Sequence, residues 1–128
     1  YDAEEGGPEQ RFRWDGQTAE MRFEDFGGTL HFERAAFGFA ADWLAQQPLV
    51  LHMREGGERL KLAANRPTRA LKYHYQACDI PAWQRTRLPL VSMADKAHDL
   101  LFAAAIGIDS THASDGADRI VLRWSAFT

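Results

Sequence analysis

"LVLHMREGGERLKL", residues 49 to 62, decides how the rest of the chain is read. Its first half alternates, with Leu49, Leu51 and Met53 on one face of an extended strand and Val50, His52 and Arg54 on the other. By that alternation His52 faces outward or finds a partner. Its centre is Gly56-Gly57, set among Glu55, Glu58 and Arg59. Glycine takes the positive φ of a two-residue turn without a Cβ penalty, so the pair predicts a tight turn that its charged neighbours keep in water. A second charged and apolar run then leaves the turn. The spacing of a phosphate-cradling nucleotide loop is absent from the stretch.

Working upstream, "RFRW" (11–14) and "AEMRFE" (19–24) alternate and are joined by "DGQT", where Asp15-Gly16 is a hairpin signal. "GGTLHFERA" (27–35) puts Leu30 and Phe32 on one face and His31 and Glu33 on the other. "ADWLAQQ" (41–47) predicts a short helical turn stopped by Pro48. Residues 1–10 read as a disordered acidic lead-in, residues 11–48 as a β-rich preceding segment, and residues 49–128 as a C-terminal domain. The chain does not begin with Met, so a larger parent protein is expected.

Downstream, "NRPTRALKYHYQACD" (65–79) predicts a helix from about Arg69 to Cys78 with Thr68 as N-cap. Leu71, Tyr75 and Cys78 form its buried stripe with His74 beside them, and Arg69, Lys72 and Gln76 its polar stripe. Asp79 ends it. "IPAWQRTRLPL" (80–90) predicts a second short helix opened by Pro81, anchored to the core by Trp83 and stopped by Pro89. "LVSM", "DLLFAAAIGI" and "RIVLRW" read as strands, with "DSTHASDGAD" (109–118) as a loop. The expected fold is α+β: small β-sandwich-like sheets with two short helices packed on one side.

Composition excludes several functions. No apolar run approaches the roughly 20 residues of a membrane-spanning helix. The single cysteine, Cys78, excludes an internal disulfide framework and fits a reducing compartment. The five histidines are scattered without ligand spacing, so no metal site is expected. "DSTHASD" (109–115) holds Ser, His and Asp but no nucleophile elbow, and no catalytic residue is assigned.

Net charge is −3, but residues 1–48 carry −6, residues 49–89 carry +5 and residues 90–128 carry −2. The cationic middle holds Arg54, Arg59, Lys61, Arg66, Arg69, Lys72, Arg85 and Arg87. Arginine forks match phosphate geometry, so the group is a candidate footprint for a polyanion. Tyr73 and Gln76 lie beside it and suit contact with ribose or bases. The competing reading is a structural or protein-interaction domain whose cations are only solvated.

"REGGERLKL", "TRALKYHYQACDIPAWQRTRLPLV" and "LLFAAAIGI", taken in order, resemble the C-terminal domain of tRNA(Ile)-lysidine synthetase over about residues 49 to 124. Short motifs carry the resemblance: Arg54-x-Gly56-Gly57-Glu58-Arg59, Leu71-Lys72, Gln76 and Ile80-Pro81-x-Trp83-x-Arg85-x-Arg87-x-Pro89. It implies the tRNA-holding end of a cytoplasmic, ATP-dependent ligase that attaches lysine to the first anticodon cytidine of an isoleucine tRNA. ATP then belongs to an N-terminal catalytic domain of the same parent chain, whose pyrophosphate loop does not occur here. This chain needs no cofactor of its own and is not expected to be catalytic alone. Arg54, Arg59, Lys61, Arg69, Lys72, Arg85 and Arg87 become the expected tRNA-binding residues. Tyr73 stands where the family usually has a second cation after Lys72, and "MADKAHD" (93–99) lengthens a turn that is usually tight.

Overall fold

The computed structural model describes residues 9–54, 58–63, 65–94 and 96–127, with the side chains of 96–98 excepted. The expected lead-in up to residue 8 and the Gly56-Gly57 turn lie outside the described residues.

The strands are β1 (Glu9–Phe12), β2 (Glu20–Phe23), β3 (Gly28–Ala40), β4 (Leu49–His52), β5 (Arg59–Leu60), β6 (Arg69–Ala70), β7 (Leu90–Met93), β8 (Lys96–Ala103), β9 (Gly107–Ile108) and β10 (Ala113–Ala126). The helices are α1 (Ala41–Gln46), α2 (Leu71–Ala77) and α3 (Ala82–Arg85), with one turn of 3-10 helix at Glu24–Phe26. They form a five-stranded antiparallel sheet in the order β1-β4-β7-β8-β9, a three-stranded sheet β10-β3-β2, and a two-stranded ribbon β5-β6. The fold is the expected α+β arrangement of small antiparallel sheets with short helices.

The decisive strand behaves as its alternation requires at Leu49 and Leu51, which are fully buried. Its other face is buried too. His52 is 7% exposed, and its Nε2 lies 2.8 Å from the Ser92 hydroxyl. The ring's Nδ1 lies 3.0 Å from the Met53 carbonyl, which can only accept, so Nδ1 carries the proton and Nε2 accepts from Ser92. His52 thus pairs rather than faces water. β1 covers one edge of β4, with Glu9 opposite His52 and Phe12 opposite Leu49. Glu9 and Gln10, expected in the lead-in, are therefore strand residues.

β1 and β2 do not form the expected hairpin, because β1 pairs with β4 and β2 with β3. Asp15 does make a turn: its carboxylate accepts from the Gln17 and Thr18 amides at 2.8 and 2.7 Å and from the Thr18 hydroxyl at 2.8 Å. The turn carries the chain from one sheet to the other. Trp14, 3% exposed and stacked on Phe32 at 5.2 Å, draws it inward there. On β3, Leu30 and Phe32 are buried while His31 and Glu33 are half-buried, as the alternation predicts.

β3 and β10 pair along most of their length, from Gly28 opposite Ala126 to Phe39 opposite Ala113, and a bulge at Arg119 breaks their register. Gly38 sits against that bulge. A Cβ there would press on the Ile120 backbone, with its carbonyl carbon at 2.8 Å. Residues 113–118, expected as loop, belong to β10. The pairings β1-β4 and β3-β10 both cross the expected boundary between residues 48 and 49. "DLLFAAAIGI" folds back on itself: Ala105 takes a φ of 71°, and Gly107 and Ile108 pair with Ala103 and Phe102.

Candidate nucleic-acid interface

The cationic segment runs through the β5-β6 ribbon, α2 and α3. The ribbon sets Arg59 opposite Ala70 and Leu60 opposite Arg69. That pairing claims Arg69 and Ala70, so α2 starts at Leu71 with Ala70 as N-cap and no side-chain cap bond. The expected Thr68 cap is thereby corrected, and the Thr68 carbonyl instead accepts from Arg59 Nη2 at 2.9 Å. The Leu71 amide donates to the Glu58 carbonyl at 2.9 Å and ties the helix to the ribbon.

The phase of α2 is as expected. Leu71, His74 and Tyr75 are buried, and Lys72, Tyr73 and Gln76 are exposed, as is Arg69 before the helix. His74 Nε2 donates to the Leu60 carbonyl at 2.9 Å. Cys78 departs from the expectation: it is exposed. The helix ends one residue before it. Asp79 turns left-handed (φ 58°) and its amide donates to the Gln76 carbonyl, while the Ile80 amide donates to Tyr75 O at 2.9 Å. This is a Schellman closure, and it hands the buried position to Ile80, which is 8% exposed.

Tyr75 is fully buried, and two guanidiniums lie against its ring. Arg54 Cζ is 5.5 Å and Arg85 Cζ 5.3 Å from the centroid. Both distances lie within the roughly 6 Å of a cation–π contact. Arg85 Nε also donates to the Ile80 carbonyl at 2.8 Å and fixes the α2–α3 joint. Among the described residues the Tyr75 hydroxyl has no hydrogen-bond partner. Burial pushes the phenol's pKa up, the Arg54 charge pulls it back, Glu58 adds to the rise and Arg85 opposes it.

Arg69 Cζ lies 4.8 Å from the Tyr73 ring centroid. Arg66, Arg69, Tyr73, His74 and Cys78 line a cavity of about 410 Å³ beside this pair. Lys61 is half-buried. Its amide donates to the Asp109 carboxylate at 2.9 Å, and its carbonyl accepts from the Ser110 amide at 2.7 Å. Arg87 is exposed and lines a different cavity, with Trp83 and Trp124. The structure therefore joins Arg54 with Arg85 and Arg66 with Arg69, while Lys61 and Arg87 have other neighbours. Trp83, expected as a core anchor, is 67% exposed; Ile80 and Leu88 fill the core on either side of it.

Two contributions were not legible in the spacing. Tyr75 reads as an ordinary buried stripe residue, and nothing local shows that two distant arginines meet on its ring. Asp109 reads as a loop residue, yet it is 6% exposed and also accepts from the Thr111 amide at 2.7 Å. His112, from the same loop, is bound to Asp99 at 2.9 Å and stacked on Trp43. Among the described residues, no group of three His, Cys, Asp or Glu side chains is placed to hold a metal.

An antiparallel α+β domain whose cations rest on aromatic rings and backbone carbonyls is the class of module these elements define. The chain belongs to the TilS substrate C-terminal domain family, whose model matches residues 49–124. It is 40% identical over 107 residues to a tRNA(Ile)-lysidine synthase of Ralstonia nicotianae, covering 81% of this chain and 22% of that protein. It is 33% identical over 113 residues to the tRNA(Ile)-lysidine synthase of Nitrosomonas europaea, covering 87% and 24%. The chain thus spans about a quarter of the length of these relatives. A solved structure described as the TilS C-terminal domain superposes with a TM-score of 0.64 at 19% identity, covering 94% of this chain and 99% of that one. Among the described residues, no helix is long and apolar enough to cross a membrane.

Proposed function

We propose that this chain is the tRNA-holding C-terminal part of a cytoplasmic tRNA(Ile)-lysidine synthase, and that the surface of β5, β6, α2 and α3 takes tRNA phosphates. The observation that carries this is how the cations are held. Arg69 rests on Tyr73, Arg54 and Arg85 rest on Tyr75, and Arg59 is held by a backbone carbonyl. These contacts orient guanidiniums without cancelling their charge. Among the described residues, the side chains of Lys72 and Arg87 have no hydrogen-bond or ion-pair partner, which leaves them for a ligand.

ATP and lysine chemistry belongs, in this reading, to the catalytic domain of the same parent chain. The described residues do not fit a triphosphate site: α2 starts behind Ala70 and α3 behind Pro81, with no glycine run at either start.

Salt dependence of tRNA binding tests the reading. Each neutralised phosphate contributes roughly 0.7 to 0.9 to the slope of log K against log salt. Engagement of about half of Arg54, Arg59, Lys61, Arg69, Lys72, Arg85 and Arg87 gives a slope near −3 by that rule. Replacing Arg69 and Lys72 together by Ala flattens it by about 1 to 2 with little sequence dependence. Salt-insensitive binding by the parent chain removes the phosphate surface and leaves the protein-interaction reading.

A further inference from the structure

Trp83 is the most exposed large apolar side chain among the described residues, at 67%. An indole is costly to leave in water, since tryptophan buries 150 to 250 Å² when it packs. It stands on the rim of a cavity of about 460 Å³ that Gln84, Arg87, Leu88, Ala105 and Trp124 also line. That volume is in the range of small-ligand sites, about 300 to 1,000 Å³.

The cavity's wall is preset. Trp124 lies across Gly28, where a Cβ would overlap its indole ring and come within 2.7 Å of the Ser125 carbonyl. The absence of that Cβ lets the indole pack directly against β3. Ala105, held at φ 71°, forms the turn beside it. The lining therefore combines an aromatic face, a second indole, an amide and a guanidinium that is unpaired among the described residues. An aliphatic protein partner would call for neither the guanidinium nor the amide. A nucleobase uses all of them: its π-face stacks on an indole, its edge bonds an amide, and its phosphate meets an arginine. Bases inside a duplex offer no free face, so only an unpaired nucleotide can enter.

We propose that the Trp83–Arg87 cavity takes an unpaired nucleobase of the bound RNA, stacked on Trp83 with Arg87 at its phosphate. This rests on the tRNA-binding reading above and adds to it a preference for RNA whose duplex carries a single-stranded extension.

The test compares one RNA hairpin with a blunt end and the same hairpin with a short single-stranded 3′ extension. Stacking is worth about 1 to 3 kcal/mol per base, so the extension is expected to tighten binding about 5-fold to 150-fold. Trp83→Ala removes that gain and leaves blunt-hairpin affinity unchanged, while Trp83→Phe retains most of it. Trp83 is exposed, so both variants fold, and circular dichroism checks this. Indole emission is quenched by the extended RNA, and the quench is reduced in Trp83→Ala, where Trp124 still lines the cavity. Equal binding of both RNAs by the parent chain overturns the proposal and leaves the phosphate surface standing. Absence of binding by either RNA overturns the tRNA reading and this proposal with it. Equal weakening of both RNAs by Trp83→Ala shows a packing role instead. Unchanged binding of both RNAs, with weakened association to the remainder of the parent enzyme, shows a protein-docking face instead.

Discussion

Replacing Tyr75 by Phe isolates a single atom at the centre of the cationic face. The ring is fully buried and its hydroxyl has no partner among the described residues. A buried, unsatisfied polar group costs about 1–3 kcal/mol. Phenylalanine removes that cost and keeps the ring on which Arg54 and Arg85 rest at 5.5 and 5.3 Å. The void left by one oxygen is smaller than a methyl group, so it returns less than about 1 kcal/mol of the gain. Tyr75→Phe is expected to stabilise the fold by roughly 0.5–2 kcal/mol. In urea, with a slope of about 1–3 kcal/mol per molar, the midpoint rises by about 0.2 to 2 M at constant slope.

Alkaline pH adds a second readout. Burial holds the folded phenol's pKa above its ordinary value of 10.0. The contribution of this shift to the parent's stability is therefore fully present below the unfolded pKa and is lost as pH rises through the folded one. Phenylalanine has no such proton, so the variant's advantage grows above about pH 10. A variant less stable than the parent by more than about 1 kcal/mol would show that the hydroxyl is satisfied, and the bracing of Arg54 and Arg85 would need another explanation.

Leu71→Ala is expected to cost about 2–5 kcal/mol and Lys72→Ala well under about 1 kcal/mol, both by denaturant titration; comparable costs would mean the α2 phase is wrong. Gly38→Ala forces a Cβ onto the Ile120 backbone at the β3-β10 bulge and should destabilise by about 1–3 kcal/mol, read as a lowered Tm. Hydrogen bonds from Gln17 and Thr18 hold the Asp15 carboxyl below its ordinary value of 3.8. Its contribution is present above the unfolded pKa and lost as pH falls through the folded one, so the destabilisation by Asp15→Asn at neutral pH should vanish in strong acid. The purified chain is expected to release no AMP from ATP, lysine and tRNA, and release would place catalysis within it.

The sequence was most readable where one local rule acted alone. Alternation placed Leu30, Phe32, Leu49 and Leu51 inward, and the helical period placed Leu71 and Tyr75 against Lys72 and Gln76. It was least readable where a distant strand competed for the same backbone. Asp15-Gly16 signals a turn correctly, but which strands flank it depends on β4 and β3, far along the chain. Thr68 is a sound cap until the β5-β6 pairing claims Arg69 and Ala70. Cys78 keeps the helical period on paper, but the left-handed Asp79 has already closed the helix. Trp83 misleads for a different reason. A large aromatic after a proline reads as an anchor, and only the packing shows that Ile80 and Leu88 have taken the core.

Outside the cationic face three arginines are charge-paired, whereas Arg119 is held by the Ser114 and Ala117 carbonyls and Arg13 by the Gln46 carbonyl. On and beside the β10-β3-β2 sheet, Arg34 meets Asp118 at 3.0 Å, Arg123 meets Glu33 at 2.8 Å and Arg22 meets Glu24 at 3.1 Å. Such exposed pairs add little stability, but each neutralises a charge. Between Arg54 and Arg87, arginines are held instead by the rings of Tyr73 and Tyr75 and the carbonyls of Thr68 and Ile80. A ring or a carbonyl restrains a guanidinium and leaves its net charge intact. Like charges gathered on one face repel and weaken the compact state. An arrangement that keeps that repulsion while limiting side-chain freedom makes physical sense when an anion is to fill the face, because the ordering entropy is then lost before the ligand arrives. Tyr73→Leu separates these terms, since it preserves charge and apolar bulk but removes the ring under Arg69. On this argument it weakens tRNA binding while leaving the salt slope unchanged, whereas Arg69→Ala changes both. If Tyr73→Leu flattens the slope as far as Arg69→Ala does, the ring's part is not to preorganise an intact charge.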